Sequence, residues 1–273
     1  MSRETSRRAF LGAAGGAAFA LLATACGSGS GDGTLGSDTG GLDSSDQPAR
    51  TTVLQTAPPA GTTTAPAVTG PAAFTDRGPS TGSRVALTFH LDGDLGLANQ
   101  LFAILSARNV PITAFVVGQW LDANPTWAKK LTDAGHELAN HSYTHPSFAT
   151  ISPEAMRDEI TRTRDVLVRL TGKPGLLFRP SGTGDGTIRP SDTVLAAAGN
   201  AGYRMALGFD VDPLDYQSPG AAAITQRTLA AVTAGSVISL HFGYADTVAA
   251  LPAILDGLEA LGLTPVTASK LLG

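Results

Sequence analysis

From Arg84 to Val266, short β-branched and apolar runs alternate with stretches of helical spacing, and most of these runs end on a charged or polar residue. Arg84–His90, Pro111–Val117, His136–His141, Gly175–Arg179, Tyr203–Phe209, Ser236–His241 and Thr264–Val266 read as seven strands. Between the first two, Leu97, Ala98, Leu101, Phe102 and Leu105 recur at helical spacing. A helix through Trp120, Trp127 and Leu131 stops at Gly135. Ser152-Pro153 opens a long helix with Met156, Ile160, Leu167 and Leu170 on one stripe, ending at Gly172. Further helices are expected near 194–198, 221–232 and 248–261. Strand and helix in alternation imply a parallel sheet, and units of about 25 residues favour barrel-like closure. No G-x-G-x-x-G or Walker pattern follows the first strand, which argues against a nucleotide.

In a parallel barrel every strand's C-terminal end opens on one face, where sites are built. His90 ends the first strand, with Asp92 and Asp94 just beyond. His141 ends the third, with His145 four residues on, Arg179 ends the fourth, and Asp210, Asp212 and Asp215 follow the fifth. His241 ends the sixth, so four of the chain's five histidines should converge. The fifth, His136, begins its strand and reads as structural. Trp120 and Trp127 read as core, and Asp185 as a turn residue.

His141-Ser-Tyr-Thr-His145 is H-x-x-x-H, a spacing that brings two imidazoles together on a helix and can also do so in a loop. Two neutral imidazoles, a carboxylate and open positions describe a catalytic zinc-type site. Such a metal polarises a carbonyl and acidifies bound water, while a base and an acid move the protons. His241 suits the acid, with Asp215 as its hydrogen-bond partner. Arg179 suits a carboxylate clamp or a structural ion pair.

The segment before the strands has a different character. Residues 1–26 read as an export signal: Arg3, Arg7 and Arg8 precede a small apolar run, and Ser6–Leu11 resembles a twin-arginine signal. The run ends in Leu22-Ala-Thr-Ala-Cys26, which resembles a lipobox. Cys26 is the only cysteine, so no internal disulfide framework is available, and the expected use is lipidation. Residues 27–80, rich in Gly, Ser, Thr and Pro, read as a disordered linker. The folded domain is then expected over 81–273, held outside the membrane by lipid. A net charge of −4 offers no basic face for nucleic acid.

Taken together, these residues resemble the NodB-homology polysaccharide deacetylases, family 4 of the carbohydrate esterases. Asn140–Pro146 is similar to the family's metal-binding His pair, and Phe178-Arg179-Pro180-Ser181-Gly182 to its Arg-Pro motif. Asp212-Pro-Leu-Asp215 is similar to its Asp-x-x-Asp-Trp motif, with Tyr216 for Trp, and Ser239-Leu240-His241 to its last motif. The resemblance implies an irregular (β/α)7 barrel and a divalent metal, zinc or alternatively cobalt. It also implies an acetylated glycan such as peptidoglycan as partner, with substrate contacts at Tyr216 and Leu240.

The first motif departs from the family pattern. Thr-Phe-Asp-Asp-Gly, base then metal ligand, is here Thr88-Phe-His-Leu-Asp-Gly-Asp94. Aligned from the left, His90 stands at the base position. Aligned from the right, Asp92 keeps the ligand position, and Asp94 could instead fold back to the metal. Three outcomes stay open: His90 is the base, one Asp binds metal while the other accepts the proton, or the site binds metal and sugar without efficient hydrolysis.

Overall fold

The computed structural model describes residues 70–182 and 184–273; the expected leader, Cys26 and most of the expected linker lie outside them. In chain order the elements are β1 (Ala73–Thr75), β2 (Arg84–Leu91), α1 (Leu95–Ala107), β3 (Thr113–Val116), α2 (Gly118–Ala123) and α3 (Thr126–Asp133). Next come β4 (Glu137–Asn140), α4 (Pro153–Thr171), β5 (Leu177–Phe178), α5 (Asp192–Asn200) and β6 (Met205–Leu207). A 3-10 turn over Asp215–Gln217 leads to α6 (Ala221–Ala231), β7 (Val237–His241), α7 (Ala245–Ala260), β8 (Thr264–Val266) and α8 (Ala268–Leu272). Among the described residues no helix is long and apolar enough to cross a membrane.

All pairings are parallel, in the order β1-β6-β5-β4-β3-β2-β7, with β8 beside the start of β2. The sheet curls toward closure: an isolated bridge joins Val211, just past β6, to Ile238 on β7. Ser239 N donates to the Val211 carbonyl at 2.9 Å across it. The fold is thus a curled parallel sheet wrapped by helices, the irregular (β/α) barrel expected from the alternation.

The pleat sorts the side chains. On β2, Val85, Leu87, Phe89 and Leu91 face outward and pack with Ala98, Leu101, Leu251 and Ile254 of α1 and α7. Ala86 shares the interior with Phe115, Ala139, Leu177, Leu207 and Val237, and Ala268 and Leu271 of α8 close the barrel's floor. On β7, Ile238 and Leu240 are buried in the outer layer, while Ser239 and His241 reach the cavity at the open end. The expected substrate contact at Leu240 is therefore overturned, because a residue between two inward-facing neighbours must face outward.

Two further expectations change. The helix through Trp120 and Trp127 is two helices, broken where Asn124 precedes Pro125 and leaves helical geometry (φ −127°, ψ 58°). The expected linker boundary at 80 is too late. Residues 73–75 form β1 against β6, Ala72 is buried, and Gly78 N bonds the Gly235 carbonyl. Three strand residues set among Gly, Pro and Ser carry too short a pattern to read.

Candidate active site

The H-x-x-x-H segment is a loop following β4, not a helix, and its backbone is bent to serve. Ser142 and His145 hold φ of 66° and 60°, left-handed values that side chains adopt only under outside constraint. The constraint is visible. Glu159, buried on the inner stripe of α4, accepts from Tyr143 N and Thr144 N at 2.7 Å each and from Thr144 Oγ1 at 2.8 Å. Asn140 Oδ1 accepts from Ser142 N at 2.9 Å. Gly118 N and Gln119 N of α2 donate to the carbonyls of Ser142 and Tyr143, an approach so close that a Cβ at Gly118 would collide with Thr163 and Tyr143.

Held this way, the loop turns both rings inward. His141 Nδ1 donates to the Arg179 carbonyl at 2.8 Å, so its Nε2 carries the lone pair. That Nε2 lies 3.1 Å from His145 Nε2. Two imidazole nitrogens on one tetrahedral zinc would sit about 3.3 Å apart. Ring nitrogens of His90, His141 and His145 all fall within 4.8 Å of one another. His90 Nδ1 is buried without a hydrogen-bond partner. Such a donor set fits a divalent metal of the zinc class. Burial, together with the neighbouring imidazoles, holds His90 and His141 well below the ordinary histidine range, and burial lowers His145 as well.

Opposite stands a second constellation. Asp215, fully buried, accepts from His241 Nδ1 at 2.7 Å, His241 N at 2.8 Å and Thr247 Oγ1 at 2.6 Å. The pair fixes the imidazole with Nδ1–H on the carboxylate and leaves Nε2 for the cavity. Parallel register sets His241 beside His90.

Arg179 is not the carboxylate clamp that its side chain suggested. Its Nε and one terminal nitrogen donate to the carbonyls of Leu207 (3.0 Å) and Gly208 (2.8 Å), and the other donates to Thr88 Oγ1 (3.0 Å). The guanidinium lies over Phe115, 3.9 Å from the ring centroid. No carboxylate is among its partners in the described residues, and burial brings its pKa down to about 9. It is a cross-brace under the site.

The remaining expected residues divide. Asp94 caps α1, its Oδ1 accepting from Leu97 N at 2.9 Å, and so is turned away from the imidazoles. Asp92 lines the cavity but stands outside the three-nitrogen cluster. Asp210 ties β7 in place by accepting from Val237 N and Ser236 Oγ. Asp212 lines the cavity with its pKa raised by burial. Tyr216 is exposed at the rim, its ring 5.4 Å from that of His241. The cavity is about 480 Å³, walled on its apolar side by Phe74, Ile188, Phe209, Tyr216 and Tyr244. Sequence reasoning missed Glu159, Phe209 and Tyr244. Glu159 did leave a trace, as the one acid on the buried stripe of α4.

The profile of the polysaccharide deacetylase family matches residues 77–206. A peptidoglycan-N-acetylglucosamine deacetylase of Bacillus cereus is 32% identical over 198 residues, covering 71% of this chain and 90% of its own. The chain belongs to the polysaccharide deacetylase family. A chitooligosaccharide deacetylase of Bradyrhizobium is also 32% identical, over 61% of this chain and 74% of its own. Among solved structures, a CE4 family pseudoenzyme from Bacillus anthracis superposes with a TM-score of 0.67 at 27% identity, over 74% of this chain and 69% of that one. Within this polysaccharide deacetylase fold the His141–His145 loop, Arg179 and the Asp215–His241 pair are all in place around one cavity. The strand that supplies the family's paired aspartates ends here in His90-Leu91.

Proposed function

We propose that the chain hydrolyses N-acetyl groups, or alternatively O-acetyl groups, from a cell-wall or extracellular polysaccharide such as peptidoglycan, using zinc or cobalt. The observation that carries this reading is that the imidazole cluster and the His241–Asp215 pair face one cavity, with His90 and His241 register partners on β2 and β7. When bound, a divalent cation supplies polarisation of the acetyl carbonyl and a more acidic water. His141 and His145 would hold it, and the Glu159-braced loop keeps their rings aimed together. His241 Nε2 gives a proton to the departing sugar nitrogen, with Asp215 fixing the ring's orientation. Tyr216 and Tyr244 offer flat faces to a pyranose at the rim. Lipidation at Cys26 after twin-arginine export would keep this activity on the outer face of the cell membrane, and replacing Cys26 by Ala should release the chain from the membrane fraction.

A second reading, a glycan-binding protein without turnover, is favoured by one observation: β2 ends in His90-Leu91 with no carboxylate at either position. The retained His241–Asp215 pair weighs against it, since binding alone has no need of a proton donor. Acetate release from N-acetylglucosamine oligomers and peptidoglycan fragments, with chelator and with added zinc or cobalt, separates the two. Metal-dependent release is expected. Glycan retention with no release under any metal would replace the hydrolase by the binder.

A further inference from the structure

Resting on that reading, we propose that His90 is the third metal ligand rather than the proton acceptor, oriented by Ser239. The metal centre is then a neutral set of three imidazoles.

Four observations converge. A ring nitrogen of His90 belongs to the cluster that spans 4.8 Å with those of His141 and His145, and neither Asp92 nor Asp94 does. Asp94 is committed to the N-terminus of α1. The nearer contact of His90 Nε2 is Ser239 Oγ at 3.1 Å, with the Arg179 guanidinium at 3.5 Å. Its other nitrogen, Nδ1, is buried and meets neither protein donor nor acceptor. In either tautomer that atom is an uncompensated buried polar group, a costly state unless something else bonds it. A cation at Nδ1 removes the cost and fixes Nε2–H as a donor to Ser239, the outer partner that a ligating histidine ordinarily has.

The fold explains why a serine does this work. Thr88 and Ser239 are register partners on β2 and β7, and His90 is the next inward-facing residue above Thr88. Ser239 therefore sits one pleat below and one strand across from the His90 ring. Arg179, which reaches Thr88 Oγ1 from beneath, fills the floor on the other side. No carboxylate is among the hydrogen-bond partners of His90 in the described residues, whereas His241 has Asp215. An imidazole built to take a proton would be expected to have that counter-ion.

Three neutral nitrogens favour zinc, cobalt, nickel or copper over magnesium, manganese or calcium, which need oxygen donors. With His90 bound, the proton-accepting groups left on the cavity wall are Asp92, Asp185, Asp212 and His241.

The test is metal binding by the purified full chain, read three ways: zinc affinity by competition with a chromophoric chelator, the visible spectrum of the cobalt(II) form, and imidazole count by X-ray absorption of the zinc form. The wild type should bind one equivalent, give a four-coordinate cobalt spectrum and show three imidazoles. His90→Ala should lose more than the roughly 100-fold that bounds outer-partner changes. Ser239→Ala should keep three imidazoles yet lose about 10- to 100-fold in affinity, with partial recovery in Ser239→Thr. Circular dichroism checks that each variant is folded, and the Ser239 pair carries the test if His90→Ala is not. An unchanged affinity and spectrum in His90→Ala, or two imidazoles in the wild type, overturns the third ligand and leaves the hydrolase reading intact. A wild type that binds no zinc or cobalt at all overturns both.

Discussion

At the scale of single residues, the costly polar groups were the legible ones. His90, His141, Arg179 and His241 each stand within one residue of a strand's C-terminal end, and all four line the cavity at the open end of the barrel. Leu240 shows the limit of reading by motif: it is adjacent in sequence to His241 but on the opposite side of the pleat. Asp94 shows another, since a carboxylate just before a helix is as good a cap as a ligand. Glu159 lies far from the motifs it serves and becomes intelligible only when α4 packs under the loop. Replacing it with Ala removes the acceptor of two backbone N–H groups and of the Thr144 hydroxyl. Zinc affinity should fall about 10- to 100-fold while the helical circular dichroism signal persists, and an unchanged affinity would show that the loop holds its own shape. Substituting His241 by Ala should retain zinc and reduce turnover by about 10²- to 10⁴-fold, read from acetate release under saturating metal. Full activity would remove it as the proton donor.

At the scale of elements, periodicity located seven of the eight strands closely enough to place the site, and it missed only the first, β1. β1 is three residues long and pairs only with β6, more than a hundred residues away in the chain, so nothing local announces it. The break between α2 and α3 was written in Asn124-Pro125, but the apolar spacing of Trp120 and Trp127 runs through it. α8 is the least conspicuous element and has a large task. Its Leu271, 1% exposed, seals the barrel floor with Ala268, and the Ala268 and Ser269 amides bond Thr113 Oγ1 and Glu137 Oε2. Leu271→Ala should cost about 2–4 kcal/mol by denaturant unfolding, the range for a fully buried leucine. A loss under about 1 kcal/mol would mean that the floor refills from Met205 and Leu272.

At the scale of the whole molecule, four histidines whose pKa values are lowered in the fold make folding sensitive to acid. Burial holds His90, His141, His145 and His136 below the ordinary value of 6.5. Unfolding frees them to titrate near 6.5, so below that pH the unfolded chain binds more protons and is favoured. The metal-free protein should therefore hold its stability above about pH 6.5 and lose it progressively below. Melting temperatures in chelator from about pH 7.5 down to about 5 read this directly, and a flat profile would contradict it. Bound metal, which needs neutral imidazoles, should raise the whole curve and make it steeper. The bridge between Val211 and Ile238 has a different consequence. Seen as a cask, the sheet closes over one short joint, where the Asp210–Val211 segment meets β7, and the hoop drawn across that joint is the Asp215–His241 bond. Asp215 comes from the stave after β6, and His241 from β7. Cutting the hoop, as in Asp215→Ala, would slacken the cask as well as disarm the proton donor. Faster hydrogen exchange at the Ser239 amide, whose acceptor is the Val211 carbonyl across the joint, would register the slackening on its own.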